Sequence, residues 1–272
     1  MKSSGAGEIE LLKTLANTAD EISMARYHAL DLKIETKPDM TPVTDADRSV
    51  EEALRKILSN ERPDYLIVGE EFGSPEKISK GSRYFVIDPI DGTKNFLRGV
   101  PIWATLIGLV ERDESGIDRV IAGMVSAPAL FRRWYAATGF GAFTEVNGGP
   151  ATQISVSKVA ALSDASISFS DLADWGDRKE SYLAILDQVW RVRGIGDFWS
   201  HMLVAEGAVD IAAEPKLALW DMAALAVIVE EAGGIFSDFQ GVSGPFGAGD
   251  ISSNRTLHPK FLAAINTEKH GN

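Results

Sequence analysis

Hydrophobic residues recur along the chain with two spacings, and each spacing predicts one kind of secondary structure. Apolar residues three to four positions apart predict helices over 8–27, 44–58, 179–190, 199–207, 219–232 and 260–265. Short apolar runs rich in β-branched and aromatic residues predict strands over 65–69, 84–87, 102–110, 120–126, 134–137, 165–169, 209–213 and 235–239. Turn residues separate the three runs between 102 and 137, so these are expected to form an antiparallel meander. The whole pattern predicts a mixed α+β fold.

Two segments interrupt this pattern. The segment 35–42 is polar and contains two prolines, which predicts a loop, and 35–43 is a candidate lid over a site. The composition changes around 152–163, which is the best candidate for a boundary within the chain. We therefore expect an N-terminal half over 1–150 and a C-terminal half over 151–272.

The most informative stretch joins an apolar run to an acidic turn. Asp88 lies at the carboxyl end of a predicted strand, where open α/β folds bind ligands, and Pro89 is expected to end that strand. Asp91 follows three positions later, and a turn between the two aspartates can direct both carboxylates into one space. Gly92 permits a close backbone approach, and Thr93 can open a helix whose free N–H groups face an anion. The stretch fits a divalent cation that bridges carboxylate and phosphate, and it also fits an ordinary acidic turn.

The spacing of the two aspartates also bears on mechanism. Phosphatases that form an aspartyl-phosphate carry Asp-x-Asp, whereas Asp88 and Asp91 are separated by two residues. A covalent aspartyl intermediate is therefore disfavoured, and attack by water with the assistance of a metal ion is favoured.

Three further acidic residues allow the same two interpretations. Asp47 stands three residues after Thr44 in a capping box, so helix capping alone would explain it. Glu70 follows a predicted strand, and Asp221 lies in the first turn of a predicted helix, where a carboxylate complements the helix dipole. If the strands that precede Glu70 and Asp88 are neighbours, their acidic ends can converge on one ion, and otherwise Glu70 belongs to a surface loop rich in glutamate.

Composition limits the classes of partner. The chain has 272 residues, a net charge of −12 and a pI of about 4.8, which argues against nucleic acid as the main partner. It has no cysteine, so disulfides and thiolate zinc sites are excluded. Residues 1–5 do not begin a signal peptide, and no stretch reaches the roughly 20 apolar residues of a membrane span, so we expect a cytoplasmic protein.

Together, the acidic segments resemble the motifs of the inositol monophosphatase superfamily of magnesium-dependent phosphatases. The matching segments are Thr-Asp-Ala-Asp at 44–47, Gly-Glu-Glu at 69–71, Asp-Pro-Ile-Asp-Gly-Thr-Lys-Asn-Phe at 88–96, Gly-Phe-Gly-Ala-Phe at 139–143, Trp-Asp-Met-Ala-Ala at 220–224 and Glu-Ala-Gly-Gly at 231–234. The resemblance covers roughly residues 10 to 265. It implies a layered α-β-α-β-α fold in one compact unit and, commonly, a homodimer.

The resemblance also implies which residues hold metal. One Mg²⁺ would be held by Glu70, Asp88 and the carbonyl of Ile90. A second would be held by Asp88, Asp91 and Asp221, and a third, weaker ion would lie near Glu70. The assignment agrees with the preference of Mg²⁺ for hard carboxylate and carbonyl oxygens.

Phosphate binding and catalysis are implied for a second group of residues. The backbone N–H groups of Gly92 and Thr93 would bind the phosphate. The implied catalytic residues are Asp47, Thr93 and Glu70, with Asp47 and the Thr93 hydroxyl orienting and deprotonating the attacking water. Hydrolysis of a phosphate monoester then needs positioning and charge neutralisation, without a covalent intermediate.

The alcohol-binding part of the site departs from the inositol-specific pattern. Residues 196–200 read Gly-Asp-Phe-Trp-Ser, where inositol-cleaving members usually carry Gly-Ser-Ala-Ala. Asp197 and Glu214 would place two carboxylates beside the ring of Trp199, and this combination suits a cationic substrate better than a neutral polyol. The resemblance implies substrate contacts for Asp91, Asp197, Trp199, Glu214 and Asp221.

These features look most like the histidinol-phosphate phosphatases of the superfamily, which implies hydrolysis of L-histidinol phosphate in histidine biosynthesis. An inositol phosphatase or a broad sugar-phosphate phosphatase is the alternative. A non-catalytic metal- or phosphate-binding protein that kept the fold is a third interpretation, and the presence of every implied catalytic residue argues against it.

Overall fold

Helices and β-sheets alternate in layers in the computed structural model, which describes residues 5–38 and 40–267. The described helices are α1 (Gly5–Arg26), α2 (Asp45–Glu61), α3 (Thr93–Leu97), α4 (Lys179–Leu186), α5 (Asp197–Ala205), α6 (Leu219–Glu231) and α7 (His258–Ile265). The described strands are β1 (Ile34–Thr36), β2 (Pro42–Thr44), β3 (Leu66–Gly69), β4 (Arg83–Asp91), β5 (Ala104–Arg112), β6 (Asp118–Ala127), β7 (Arg132–Ala137), β8 (Gly141–Val146), β9 (Thr152–Gln153), β10 (Ser166–Phe169), β11 (Arg191–Gly194), β12 (Ile211–Glu214), β13 (Gly234–Ser237) and β14 (Asp250–Asn254). Residues 1–4, which the signal-peptide prediction uses, and Asp39 of the candidate lid lie outside the described residues.

Apart from the two-stranded pair of β1 and β2, the described strands form a larger and a smaller sheet. The larger has the order β3-β4-β5-β6-β7-β8-β9, with β3 parallel to β4 and the later neighbours antiparallel. The predicted meander is confirmed, because its three runs form β5, β6 and β7. The smaller sheet has the order β11-β10-β12-β14-β13, in which β10 is parallel to both of its neighbours.

Side chains that alternate along β4 show how the layers pack. Phe85 and Ile87 belong to a core that α1 and α2 cover on one face of the larger sheet. Tyr84 and Val86 belong to the core on the opposite face, which α5 and α6 fill. The smaller sheet contacts α5 and α6 from the far side, and α4 and α7 close the stack. The order of layers is therefore α-β-α-β-α, which confirms the predicted fold class.

The prediction that Pro89 ends its strand is wrong. Strand β4 continues to Asp91, and its pairing with β5 shifts register between Asp88 and Asp91. Pro89 lies within this shift, where its missing N–H removes no ladder bond. Its carbonyl accepts a hydrogen bond from Thr105 Oγ1 at 2.8 Å. The acidic turn is thus a bulge inside a strand.

Several elements differ from the sequence prediction. Residues 35–42 are not an irregular loop, because Ile34–Thr36 pairs antiparallel with Pro42–Thr44 in a hairpin. Besides β1 and β2, four further strands are absent from the predicted set, namely β8, β9, β11 and β14. Strand β14 reads Asp-Ile-Ser-Ser-Asn, is buried throughout and lies between β12 and β13. Its polar sequence therefore gave no signal of a buried interior strand.

The predicted division into 1–150 and 151–272 stays a prediction. The larger sheet ends at Gln153 and the smaller sheet begins at Ser166. Helix α6 contacts strands of both sheets, so it fills the space between them. Among the described residues, no helix is both long and apolar enough to cross a membrane.

The contact between α6 and the larger sheet predicts a stability effect at Gly123. A Cβ added there would lie 2.6 Å from Val227 Cγ1 and 2.8 Å from the carbonyl oxygen of Ala224. We expect Gly123→Ala to lower the free energy of unfolding by about 1–3 kcal/mol through overpacking, measured by urea titration. Gly194→Ala is the matched control, because its Cβ would meet no atom closer than 3.9 Å. Equal stability of the two variants would contradict this packing.

Candidate active site

The bulge in β4 brings two aspartates to the same side of the strand. Asp88 Oδ1 accepts the N–H of Ile90 at 3.0 Å, which fixes the tight turn after the strand's regular part. Asp91 Oδ2 accepts the N–H of Phe198, the second residue of α5, at 2.7 Å. The two carboxylates are therefore held by backbone donors from different parts of the chain.

A third carboxylate reaches them from the start of α6. Asp221 lies in the first turn of this helix, where its charge complements the helix dipole as expected, and its Oδ2 also accepts the N–H of Ala218 at 2.7 Å. It also joins the strand aspartates, because one ligand atom each from Asp88, Asp91 and Asp221 lies within 4.8 Å of the others. Asp221 therefore both stabilises the start of α6 and belongs to the acidic cluster.

The cluster is electrostatically unfavourable without a cation. Burial raises the pKa of the Asp88 carboxyl well above its ordinary value, and the neighbouring carboxylates, Glu70 first, raise it further. Burial likewise raises the pKa of Asp91, and the charge of Asp197 adds to it. The pKa of Asp221 is raised to about 7, chiefly by burial. A divalent cation between these oxygens would remove both penalties, so the donor set fits a hard metal ion.

Glu70 stands beside the cluster and has a cationic partner that the sequence did not indicate. It follows β3, and its N–H donates to the Ile87 carbonyl at 3.2 Å. Lys37, at the tip of the β1–β2 hairpin, donates to Glu70 Oε1 at 2.7 Å and to Glu71 Oε1 at 2.6 Å. The ammonium therefore lies against the carboxylate that the family resemblance makes a metal ligand.

Asp47 is buried and only partly used by its helix cap. Its Oδ2 accepts the Thr44 N–H at 2.8 Å and the Thr44 hydroxyl at 2.5 Å, which confirms the predicted capping box. Its Oδ1 is buried and has no hydrogen-bond partner in the described structure. Burial raises the pKa of Asp47 to about 7, against the lowering effect of the Thr44 hydrogen bonds. One carboxylate oxygen of Asp47 thus has no partner among the described residues.

The predicted anion-binding turn has the conformation that glycine permits. Gly92 has φ of +81°, and a Cβ there would lie 2.9 Å from the carbonyl oxygen of Ile102. Thr93 begins α3, and its hydroxyl donates to the carbonyl of Ile90 at 3.0 Å. This carbonyl is the one implied as a metal ligand, and that role stays a prediction, as does phosphate binding by the two N–H groups.

The predicted substrate carboxylates lie at the edge of the cluster. Asp197 begins α5 with φ of +52°, and its Oδ2 accepts the Asn95 amide at 2.9 Å. Glu214, at the end of β12, accepts the N–H and the hydroxyl of Ser170 at 2.9 and 2.5 Å. Burial raises the pKa of Glu214 to about 7, and the charge of Asp197 raises it, which indicates that the two carboxylates face a common region.

Trp199 is placed less favourably for substrate contact. It is half-buried and packs against the core between the two sheets. Its indole Nε1 is buried without a hydrogen-bond partner in the described structure. The core role explains this ring, and its substrate contact stays a prediction.

Comparison with known proteins identifies the family. A model of the inositol monophosphatase family matches residues 8–270. The chain belongs to this family. A histidinol-phosphatase of Mycobacterium tuberculosis is 51% identical over 95% of this chain and 98% of the relative. A histidinol-phosphatase of Streptomyces coelicolor is also 51% identical, over 95% of this chain and 97% of the relative. Among solved structures, the IMPase of Thermotoga maritima has a TM-score of 0.82 and 30% identity, covering 95% of this chain and 96% of its own.

The raised pKa of Asp221 predicts how stability depends on pH in this family member without metal. Its ordinary value is 3.8 and its folded value about 7. As the pH rises through this window, the unfolded chain releases a proton that the folded protein retains, so folding loses stability. We expect metal-free Asp221→Asn to melt higher than wild type by about 3 °C or more at pH 7.5.

The difference should shrink towards pH 4, where Asp221 is protonated in the folded wild type, and scanning calorimetry in chelator measures it. Added Mg²⁺ should reverse the order, because the asparagine side chain offers the cation no charge. A metal-free difference independent of pH would contradict the electrostatic description of the cluster.

Proposed function

We propose that this protein is a Mg²⁺-dependent phosphatase that hydrolyses L-histidinol phosphate to L-histidinol and phosphate. The observation that carries the proposal is the position of two groups of carboxylates. One group, Asp88, Asp91 and Asp221, has the chemistry of a divalent-cation site. The other group, Asp197 and Glu214, places two more carboxylates beside the first. An anionic phosphate does not need them, so they indicate a positively charged group elsewhere on the substrate.

The metal set follows the family assignment. Glu70, Asp88 and the carbonyl of Ile90 would hold one Mg²⁺, and Asp88, Asp91 and Asp221 a second, with a third near Glu70. When bound, such ions lower the pKa of a coordinated water and neutralise the phosphate and the leaving oxygen. The two members of the set that cap or stabilise local backbone, Asp88 and Asp221, are fixed before any ion binds.

The chain's own groups supply orientation and a base. Asp47 Oδ1 would accept the proton of the attacking water, because it is unpaired and its carboxyl has a pKa of about 7, near the value that suits a general base. The Thr93 hydroxyl would orient that water together with Glu70. The N–H groups of Gly92 and Thr93 would hold the phosphate, since the φ of Gly92 lets the backbone approach it closely.

Substrate choice rests on charge. Histidinol phosphate carries a primary ammonium, and buried carboxylates bind an ammonium strongly through charge-assisted hydrogen bonds. Asp197 and Glu214 both lie within the same acidic region, where Glu214 is buried and Asp197 is partly buried. The names of the two 51% identical relatives support the same substrate.

An inositol or broad sugar-phosphate phosphatase is the alternative function. It would use the same metal cluster, and the 30% identical solved relative is named an IMPase. A neutral polyol would leave Asp197 and Glu214 without a cationic partner, which disfavours it. We further infer a homodimer from the family resemblance and a cytoplasmic location from the sequence prediction. A non-catalytic role is disfavoured by the complete set of site residues.

A substrate panel tests the proposed function. Phosphate release is measured at saturating Mg²⁺ with L-histidinol phosphate, inositol 1-phosphate and fructose 1,6-bisphosphate. We expect kcat/KM for histidinol phosphate to exceed the other two by about 100-fold or more, since a buried charge pair left unmatched costs at least about 3 kcal/mol. Faster cleavage of inositol phosphate would overturn the substrate assignment, and no hydrolysis of any ester would overturn the enzyme assignment.

The role of Asp197 has its own test. Asparagine tolerates the left-handed backbone of this position, so Asp197→Asn removes charge without forcing the turn to change. We expect KM for histidinol phosphate to rise about tenfold, the loss of one charge-assisted hydrogen bond, with KM for inositol 1-phosphate unchanged or lower. Asp171→Asn, an exposed aspartate nearby, is the control. An equal KM change for both substrates would remove Asp197 from ammonium recognition.

A further inference from the structure

A buried glutamate that lies outside the assigned site contacts the turn carrying Glu70. Glu51 is in the middle of α2, and its exposed fraction is 0%. A buried carboxylate is costly unless charge and hydrogen bonds compensate it. Its partners therefore indicate what it does.

Those partners are two backbone donors and one arginine. Glu51 Oε2 accepts the N–H of Glu71 at 2.7 Å, and Oε1 accepts the N–H of Phe72 at 3.3 Å. Arg55, one turn later on the helix, donates its Nε to Oε1 at 2.8 Å. Its Nη2 donates to the carbonyl of Gly73 at 2.9 Å. The pair binds three successive residues immediately after Glu70.

Besides its bonds to Lys37 and to the Ile87 carbonyl, the turn is closed by its own backbone. Gly69 and Gly73 exchange backbone hydrogen bonds of 3.1 Å, which close a loop around Glu70, Glu71 and Phe72. The carboxylate of Glu51 fills the space beside Gly69, because a Cβ at that residue would lie 1.9 Å from Oε1. The glycine thus provides the room that lets the carboxylate reach the amides.

An amide cannot replace this carboxylate fully. The N–H groups of Glu71 and Phe72 address different oxygens of Glu51, and Arg55 uses one of them as well. A glutamine keeps one acceptor oxygen and turns its NH₂ group towards a donor. One of the backbone amides next to Glu70 would then lose its partner.

We propose that Glu51, with Arg55, is a positioning residue that holds the Glu70 turn in its metal-binding geometry. The inference rests on the proposed function, because it takes Glu70 to be a ligand of Mg²⁺. Glu51 touches no substrate and no reacting atom; it acts through the peptide that follows Glu70.

The test compares Glu51→Gln with wild type and with Glu52→Gln, a neighbour on the exposed side of the same helix. We expect the calorimetric Kd for Mg²⁺ and the Mg²⁺ concentration for half-maximal activity to rise about tenfold, as is usual when a support of a metal ligand is lost. At saturating Mg²⁺, kcat should stay close to wild type. In the metal-free protein, the Glu71 and Phe72 amides should exchange hydrogen faster.

Arg55→Gln covers the case in which Glu51→Gln does not fold. Arg55 is partly exposed, with 27% of its side chain accessible, so its replacement is mild. It should shift the same Mg²⁺ constants in the same direction by about threefold. Unchanged Mg²⁺ affinity in whichever of the two variants folds would overturn the inference, and so would an equal shift in Glu52→Gln. If wild type itself binds no Mg²⁺, the proposed function fails instead.

Discussion

The repulsion among carboxylates that the fold forces into one small space is the constraint on which the rest of the structure depends. Asp88, Asp91 and Asp221 cannot all ionise at close range without a cation between them. The fold opposes this repulsion by fixing each carboxylate with a backbone N–H, from Ile90, Phe198 and Ala218. The protein therefore stores an unfavourable arrangement that a divalent ion relieves, and preorganisation of this kind is what catalysis by charge neutralisation requires.

The layer order explains how residues so distant in sequence meet. Helix α6 fills the space between the two sheets, and its first turn reaches the bulge in β4. Glycines in the larger sheet let the helix come close, since a side chain at Gly123 would enter it. On the other face of the sheet, Gly69 lets α2 come close to the end of β3, so that Glu51 can accept the N–H of Glu71. Helix-to-sheet packing on both faces of one sheet thus sets the geometry of the acids at its end.

Much of the fold and of the candidate site could be predicted from residues close together in the sequence. The contacts between residues far apart in the sequence could not. The capping box at Asp47, the acids after strands, and Gly92 are encoded by neighbours in sequence, and the family motifs added the layer order that periodicity alone could not supply. The contact between Lys37 and Glu70 spans 33 residues, and nothing near Ser170 signals its bonds to Glu214. Strand β14 is polar although it is buried, because its serines find partners inside the protein. Pro89 was wrongly predicted to end its strand, because a bulge tolerates a residue without an N–H donor and a regular ladder does not.

Helix α5 links the acidic cluster to Asp197, the residue proposed to recognise the substrate. Its second residue donates its N–H to Asp91, while its first residue, Asp197, is the predicted partner of a cationic substrate and is held by Asn95 from α3. If Asp197 selects the substrate as proposed, the two functions share one helix start, and moving this helix to accommodate a new alcohol would disturb a carboxylate of the cluster. Changing the side chain at position 197 would leave the hydrogen bond to Asp91 in place, although it would alter the charge beside that carboxylate. Substrate range in such a scaffold should accordingly vary through the side chain at position 197, with the backbone of α5 kept in place, because Phe198 and Trp199 pack into the core between the sheets.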